Sequence, residues 1–270
     1  MIRKGRAMPK WRVRVNRIGA FVIAFVAMLF AVSTSWRAWG VPMYPGLDNV
    51  AHAGGGLGDL TYVNGVDAFE ASYAKGFRSF EVDFQRTRDG VLVCSHDWEP
   101  FGGEIPDFER FLAVNARFTH PLCTFGDLVA WFRAHPDATL ISDAKVDTVT
   151  VNVELRMALH DQLLPSVYDL ESALALSQNG RYPLILAVYR MPDIYQRYLL
   201  VGSMRGKRIH LSAVSMSIAD AMDGLGYWSK LWVDAPVYAY TVNSCEPDFA
   251  LRLMGVDAVY TDFMGAEACE

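Results

Sequence analysis

The chain is expected to be an α/β protein: a (β/α)8 barrel over residues 41–270, preceded by one N-terminal transmembrane helix within residues 1–40. Three observations predict it. Short apolar runs alternate with helical stretches through the whole of the larger segment. That segment, about 230 residues with no linker-like or repetitive stretch, suits one large domain with a substantial core. Histidines and carboxylates collect at the carboxyl ends of the strands, where a barrel carries its site. An open doubly wound sheet is the fallback.

Residues 1–17 hold seven basic side chains and no acidic one, and Ile18 to Trp36 carries no charge. As a helix those 19 residues span about 28 Å, close to the hydrocarbon core of a bilayer. The basic flank stays in the cytoplasm and puts the barrel on the far side. A cleaved signal peptide is the competing reading, with Ala31-Val32-Ser33 or Ser33-Thr34-Ser35 as small-x-small sites and a secreted product. Setting that flank aside leaves 18 of the 25 basic residues against all 30 acidic ones, a formal −12. Such a domain is a poor nucleic-acid binder and suits a site that recruits a divalent cation.

The first strand, Asn49 to His52, ends on a histidine. The glycine run after it, Gly54 to Gly58, lacks the dinucleotide-binding spacing and reads as a loop over the barrel mouth. Gly65 to Lys75 is a crossover helix. In the second strand, Ser79 to Phe84, the side chains of Phe80, Val82 and Phe84 share one face. Glu81 and Asp83 share the other, roughly 7 Å apart, a spacing that lets both converge on one hard cation. Asp89-Gly90 signals a hairpin back along Val91 to Ser95. If those two residues are the whole loop, Gln85 faces Cys94 and Asp83 faces His96, which puts an acid/base group beside the carboxylates.

Thr124 to His135 is the next helix. The third strand, Leu140 to Asp143, supplies Asp143 as third ligand and, two positions on, Lys145 as a positive charge for a phosphate; capping the following helix is the alternative for Asp143. The remaining strands are Ser166 to Asp169, Leu184 to Tyr189, His210 to Ser215, Val237 to Val242 and Ala258 to Asp262, with a helix over Pro247 to Met254. Asn243 reaches the site or shapes a turn. Tyr240 lines the pocket or packs beneath it, and Trp98 is a substrate platform or loop packing. His120, His135, His160 and His210 have no partner motif. The four cysteines, Cys94, Cys123, Cys245 and Cys269, allow three full pairings, and Cys94 could equally be free and buried.

The strings AHAGG at Ala51 to Gly55, EVDFQRTRDGVLVCSHD at Glu81 to Asp97, SDAK at Ser142 to Lys145, and YTVN followed by GVDAVYTD resemble the glycerophosphodiester phosphodiesterase family, in order, spacing and residue type. The resemblance implies a (β/α)8 barrel that hydrolyses phosphodiesters with a divalent metal, usually calcium or magnesium. It implies that Glu81, Asp83 and Asp143 hold the metal, that His52 and His96 act as general acid and base, and that Asn64 carries over from a substrate-binding signature. Three departures bear on substrate. Ala53 stands where the family has Arg, Val63-Asn64-Gly65 where it has Glu-Asn-Thr, and Asp143-Ala144-Lys145 where it has Glu-x-Lys. An Asp at the third metal position also occurs in the related spider-venom phospholipase D toxins.

The expected substrates are glycerophosphodiesters, lysolipid headgroups or phosphodiester-linked surface polymers. Lys145, Asn64, Asn243, Tyr240 and Trp98 are the substrate-binding candidates. Two alternatives stand beside hydrolysis: a phospholipase-D-like transferase giving a cyclic phosphate, and an inactive barrel that binds a phosphoglycan.

Overall fold

The computed structural model describes residues 48–178 and 182–265. All eight expected strands form and lie parallel: β1 (Val50–Ala51), β2 (Ser79–Arg86), β4 (Thr139–Ala144), β5 (Leu163–Val167), β6 (Leu184–Ala187), β7 (Leu211–Ser217), β8 (Val237–Tyr240) and β9 (Ala258–Thr261), with β3 (Leu92–Cys94) as a hairpin arm. The order β1-β9-β8-β7-β6-β5-β4-β2 closes on itself through a β1–β2 pairing, so the sheet is a barrel and the open-sheet fallback is excluded. The antiparallel β3 pairs with the outer half of β2, where the two-residue β1 has already ended.

Large apolar side chains on the outward face of each strand meet the helices. Phe80, Val82 and Phe84 pack with Leu128, Trp131 and Phe132, which lie on the helix Phe125–Ala134. Inside the barrel, Val50, Ile141, Ile185, Ala213 and Tyr260 fill the space below the mouth. Helix starts are set by side-chain caps at the strand ends. Asp147 accepts from the Thr150 N–H at 3.3 Å to begin the helix Thr148–Leu159, which leaves Asp143 free of the capping role. The fourth expected strand starts earlier, at Leu163, and stops at Val167, because Asp169 turns its carboxylate to the Ser172 N–H at 2.7 Å and starts the next helix.

The hairpin register differs from expectation by one residue. Its loop is three residues long: the Thr87 N–H donates to the Val91 carbonyl at 3.0 Å, and Gly90 takes φ +87 in the left-handed region. The Thr87 hydroxyl favours this form by accepting from the Val91 N–H at 3.0 Å and donating to Asp89 at 2.6 Å. Phe84 therefore pairs with Cys94 and Gln85 with Val93, and it is the Ser95 N–H that meets the Asp83 carbonyl, at 3.0 Å. A slip of one residue turns every side chain to the opposite face. His96 reaches the site because the ladder ends at Cys94 and the chain leaves the strand.

Cys94 is not free. It forms a disulfide with Cys123, with Cα atoms 5.2 Å apart and a separation of 29 positions in sequence. Closing a loop of that size stabilises the fold by roughly 3–4 kcal/mol in the chain-entropy model. Cys269 lies outside the described residues. So does Ile18 to Trp36; among the described residues, no helix is long and apolar enough to cross a membrane.

Candidate active site

His52 leaves the end of β1 in a tight turn in which Ala53 takes φ +48. Its Nδ1 lies 2.9 Å from Asp262 Oδ1, on the segment leaving β9, which the closed barrel makes the neighbour of β1. Asn243 holds Asp262 in turn, donating from Nδ2 to Oδ2 at 2.8 Å and accepting from the Asp262 N–H at 2.8 Å. Asn243 thus stands behind Asp262 and does not line the cavity. Burial works to lower the His52 pKa, but the Asp262 hydrogen bond and the charges of Glu81, Asp262 and Asp83 outweigh it and the pKa is raised.

The β2–β4 register places Asp83 directly beside Asp143, and Glu81 lies two positions back on the same face of β2. Ligand atoms of the three carboxylates all lie within 4.8 Å of one another. Each carboxylate is oriented by its own partners. Glu81 Oε2 accepts from the Ala53 N–H at 2.7 Å. Asn64, at φ +46, grips Asp83 twice, donating from Nδ2 to Oδ2 at 2.8 Å and accepting from the Asp83 N–H at 3.0 Å. This buried clamp on Asp83 is where the fold puts Asn64. Asp143 accepts from the Tyr168 and Tyr189 hydroxyls. Arg190 stacks 3.5 Å over the Tyr168 ring, donates to the Ala144 carbonyl at 2.6 Å and comes within 3.8 Å of Asp143.

Lys145 Nζ bonds Asp83 at 2.8 Å and Asp143 at 2.9 Å. Burial lowers its pKa, yet the two carboxylates more than offset this and hold it above the ordinary lysine value. Glu81 receives no such cation. Burial, reinforced by the Asp83 and Asp143 charges against the opposing effect of His52, pushes its carboxyl up to about 8. Three crowded, oxygen-only donors with one of them short of positive charge fit a hard divalent cation.

His96 faces this wall from the end of the hairpin arm. Its Nδ1 lies 2.9 Å from Asp97, and its carbonyl accepts from Gln85 Nε2 at 3.2 Å. The Tyr62 ring sits between the two imidazoles, 4.8 Å from His52 and 4.4 Å from His96, centroid to centroid. The groups enclose a cavity of about 260 Å³ at the carboxyl ends of the strands, lined by both histidines, the three carboxylates, Lys145 and Tyr240 among others. The buried Tyr240 hydroxyl has no hydrogen-bond partner among the described residues. Trp98 does not line the cavity; its ring packs 5.6 Å from Phe101 in the small cluster beneath the arm.

Sequence reading missed Asp262, Tyr168 and Tyr189, although all three stand at or just past strand ends and the strand-end rule would have found them. Tyr62, in an irregular loop, has no periodic signal.

Residues 55–180 match the family model described as the glycerophosphoryl diester phosphodiesterase family. No curated protein matches the chain. Among solved structures it is similar to a glycerophosphodiester phosphodiesterase from Parabacteroides distasonis (16% identity, 80% of this chain and 94% of that one, TM-score 0.60) and one from Thermotoga maritima (16%, 81% and 96%, 0.60). It is also similar to an Oleispira antarctica phosphodiesterase solved with the product sn-glycerol-3-phosphate (15%, 82% and 93%, 0.59). At such identities the structures establish a shared fold. Residues 55–180, somewhat under half of the chain, are thus similar to the glycerophosphoryl diester phosphodiesterase family, a family of phosphoric diester hydrolases.

Proposed function

We propose that the barrel hydrolyses glycerophosphodiesters or related phosphodiesters of lipid or cell-surface origin, with Glu81, Asp83 and Asp143 holding a calcium or magnesium ion and His52 and His96 moving protons. One observation carries the reading: two imidazoles, each with its Nδ1 on a carboxylate, line the same cavity as a three-carboxylate cluster. A divalent cation, when bound, supplies Lewis-acid polarisation of the phosphoryl oxygens and offsets their growing negative charge.

The chain's own groups do the rest. With Nδ1 engaged by Asp262, His52 keeps Nε2 as its proton-carrying atom, and its raised pKa suits it to donate that proton to the departing alcohol oxygen. His96, with Nδ1 on Asp97, takes a proton from the attacking water at Nε2. Lys145 offers positive charge to a non-bridging phosphate oxygen. The products are a phosphomonoester and an alcohol. By its likeness to the Oleispira antarctica enzyme, the expected monoester is glycerol phosphate.

The same reading keeps the barrel extracytoplasmic behind a single N-terminal span. The Cys94–Cys123 disulfide supports it, since such bonds persist in oxidising compartments. Protease cleavage of the barrel on intact cells is the expected result, and full protection would refute it.

The test of function is release of phosphomonoester from a panel of phosphodiesters by the full chain in detergent, with calcium, magnesium or chelator. Cation-dependent turnover, abolished by His52→Ala and by Glu81→Ala, is expected. Cyclic phosphate as the end product would make the protein a transferase. Cation binding without turnover on any diester would make it a binding barrel.

A further inference from the structure

The loop between β1 and the first helix carries a second feature of the site. Tyr62 is a bulky residue at φ +53, a backbone conformation that such side chains rarely adopt and that tends to mark functional positions. The residue is 42% exposed, yet its ring lies against both imidazoles and lines the cavity. Two more large apolar side chains stand exposed on the same loop and on the segment that packs against it. Leu60, 52% exposed, belongs to a short turn closed by paired backbone hydrogen bonds with Leu57 at 3.0 and 3.1 Å. Phe263, 41% exposed, lies so close over Gly56 that a Cβ there would collide with its ring. The Gly56 N–H is bonded at 2.8 Å to the carbonyl of Asp262, the same residue that orients His52.

We infer that Leu60, Tyr62 and Phe263 form an apolar lip that takes an unbranched alkyl chain on one alcohol of the phosphodiester, so that the preferred substrate is an amphiphile. This rests on the phosphodiesterase reading and names its substrate class. Tyr62 lines the cavity against His52 and His96, so a chain leaving the phosphate past the two histidines meets its ring first and then the loop that carries Leu60 and rests on Phe263 at Gly56. Polar recognition is correspondingly sparse. Ala53, where the resembled family has an arginine, is buried, and its N–H is already engaged by Glu81 and its carbonyl by the Asn64 N–H. Among the described residues, Lys145 is the one lysine or arginine lining the cavity. A chain seated on the lip removes apolar surface from water, and it covers the ring that shields the two histidines.

The experiment compares kcat/KM of the full chain, with calcium or magnesium, on water-soluble glycerophosphoalkanols from methyl to octyl and on the choline ester. The expected result is a rise with chain length, roughly two- to fourfold per methylene over the first carbons that reach the lip, with the octyl ester preferred over the choline ester. Leu60→Ser and Phe263→Ser should flatten the octyl-to-methyl ratio, while Met157→Ser, an exposed apolar residue on a distant helix, should leave that ratio unchanged. Because the readout is a ratio within one protein, partial loss of folded enzyme does not alter it. Equal cleavage of methyl and octyl esters, preference for the choline ester, or a slope untouched by both lip variants would overturn the lip and leave the phosphodiesterase reading standing. No turnover of any member would overturn both.

Discussion

His52 is 12% exposed and leans on Asp262, 210 positions away in sequence, whereas His96 is 38% exposed and leans on Asp97, its own neighbour. Asp262 is itself gripped by Asn243, while the Asp97 carboxylate is 48% exposed and bonded to the nearby Glu99 N–H at 2.8 Å. The same side chain is thus built into the site in two ways. One histidine depends on closure of the barrel between β9 and β1. The other depends on a local turn at the end of an arm that a disulfide ties down.

Removing either ring tests the division of labour most severely. His52→Ala and His96→Ala should each lower kcat by about 10²–10⁴. The remaining pH profiles should differ, with the alkaline limb lost in His52→Ala and the acidic limb lost in His96→Ala; loss of the same limb in both would refute the acid and base assignment. The arm comes next. Cys94→Ser with Cys123→Ser should cost about 3 kcal/mol of stability in chemical denaturation, and activity at the same folded fraction should fall, because Cys123 also holds the Asn64 carbonyl through its N–H at 2.8 Å. A variant destabilised but fully active would confine the disulfide to stability.

The carboxylate partners give a smaller and more diagnostic contrast. Asp262→Asn should lower kcat by about 10–100-fold, the usual scale for a carboxylate that orients a functional histidine. Asp97→Asn should cost only a few-fold, since water can replace a half-exposed partner; equal losses would erase the distinction between the two supports. The smallest effect is on stability without cation. Glu81 titrates up to about 8 in the fold and His52 is also raised, so the folded chain holds protons that the unfolded chain has already released. Stability in chelator should therefore fall as pH rises from 5 to 8, by a few degrees of melting temperature. Calcium or magnesium should restore more at pH 8 than at pH 5, because binding requires the Glu81 carboxylate. A cation shift independent of pH would place the ion elsewhere.

Much of this site could be read from the chain alone. Phe80, Val82 and Phe84 alternate with Glu81 and Asp83, so which of them faced helices and which faced the cavity followed from the period of two. The hairpin register could not be read so simply. Asp89-Gly90 signals a turn, but the Thr87 hydroxyl selected the three-residue form, and that choice rests on side-chain hydrogen bonds rather than on pattern. By its motif Asn64 is a substrate-binding candidate, and Asn243 reaches the site or shapes a turn; in the fold both orient carboxylates, a role that depends on where Asp83 and Asp262 stand after folding.

The sequence by itself determined the strand and helix alternation, the inward face of β2 and the chemical identity of the acids and bases, because these depend on local period and residue type. Only the tertiary structure decided that Asp143 stands beside Asp83, that Asp262 orients His52, that Cys94 pairs with Cys123 and that Tyr62 lies between the two histidines. Each of these joins residues far apart in the chain. Their proximity follows from barrel closure and strand order, which local period does not encode.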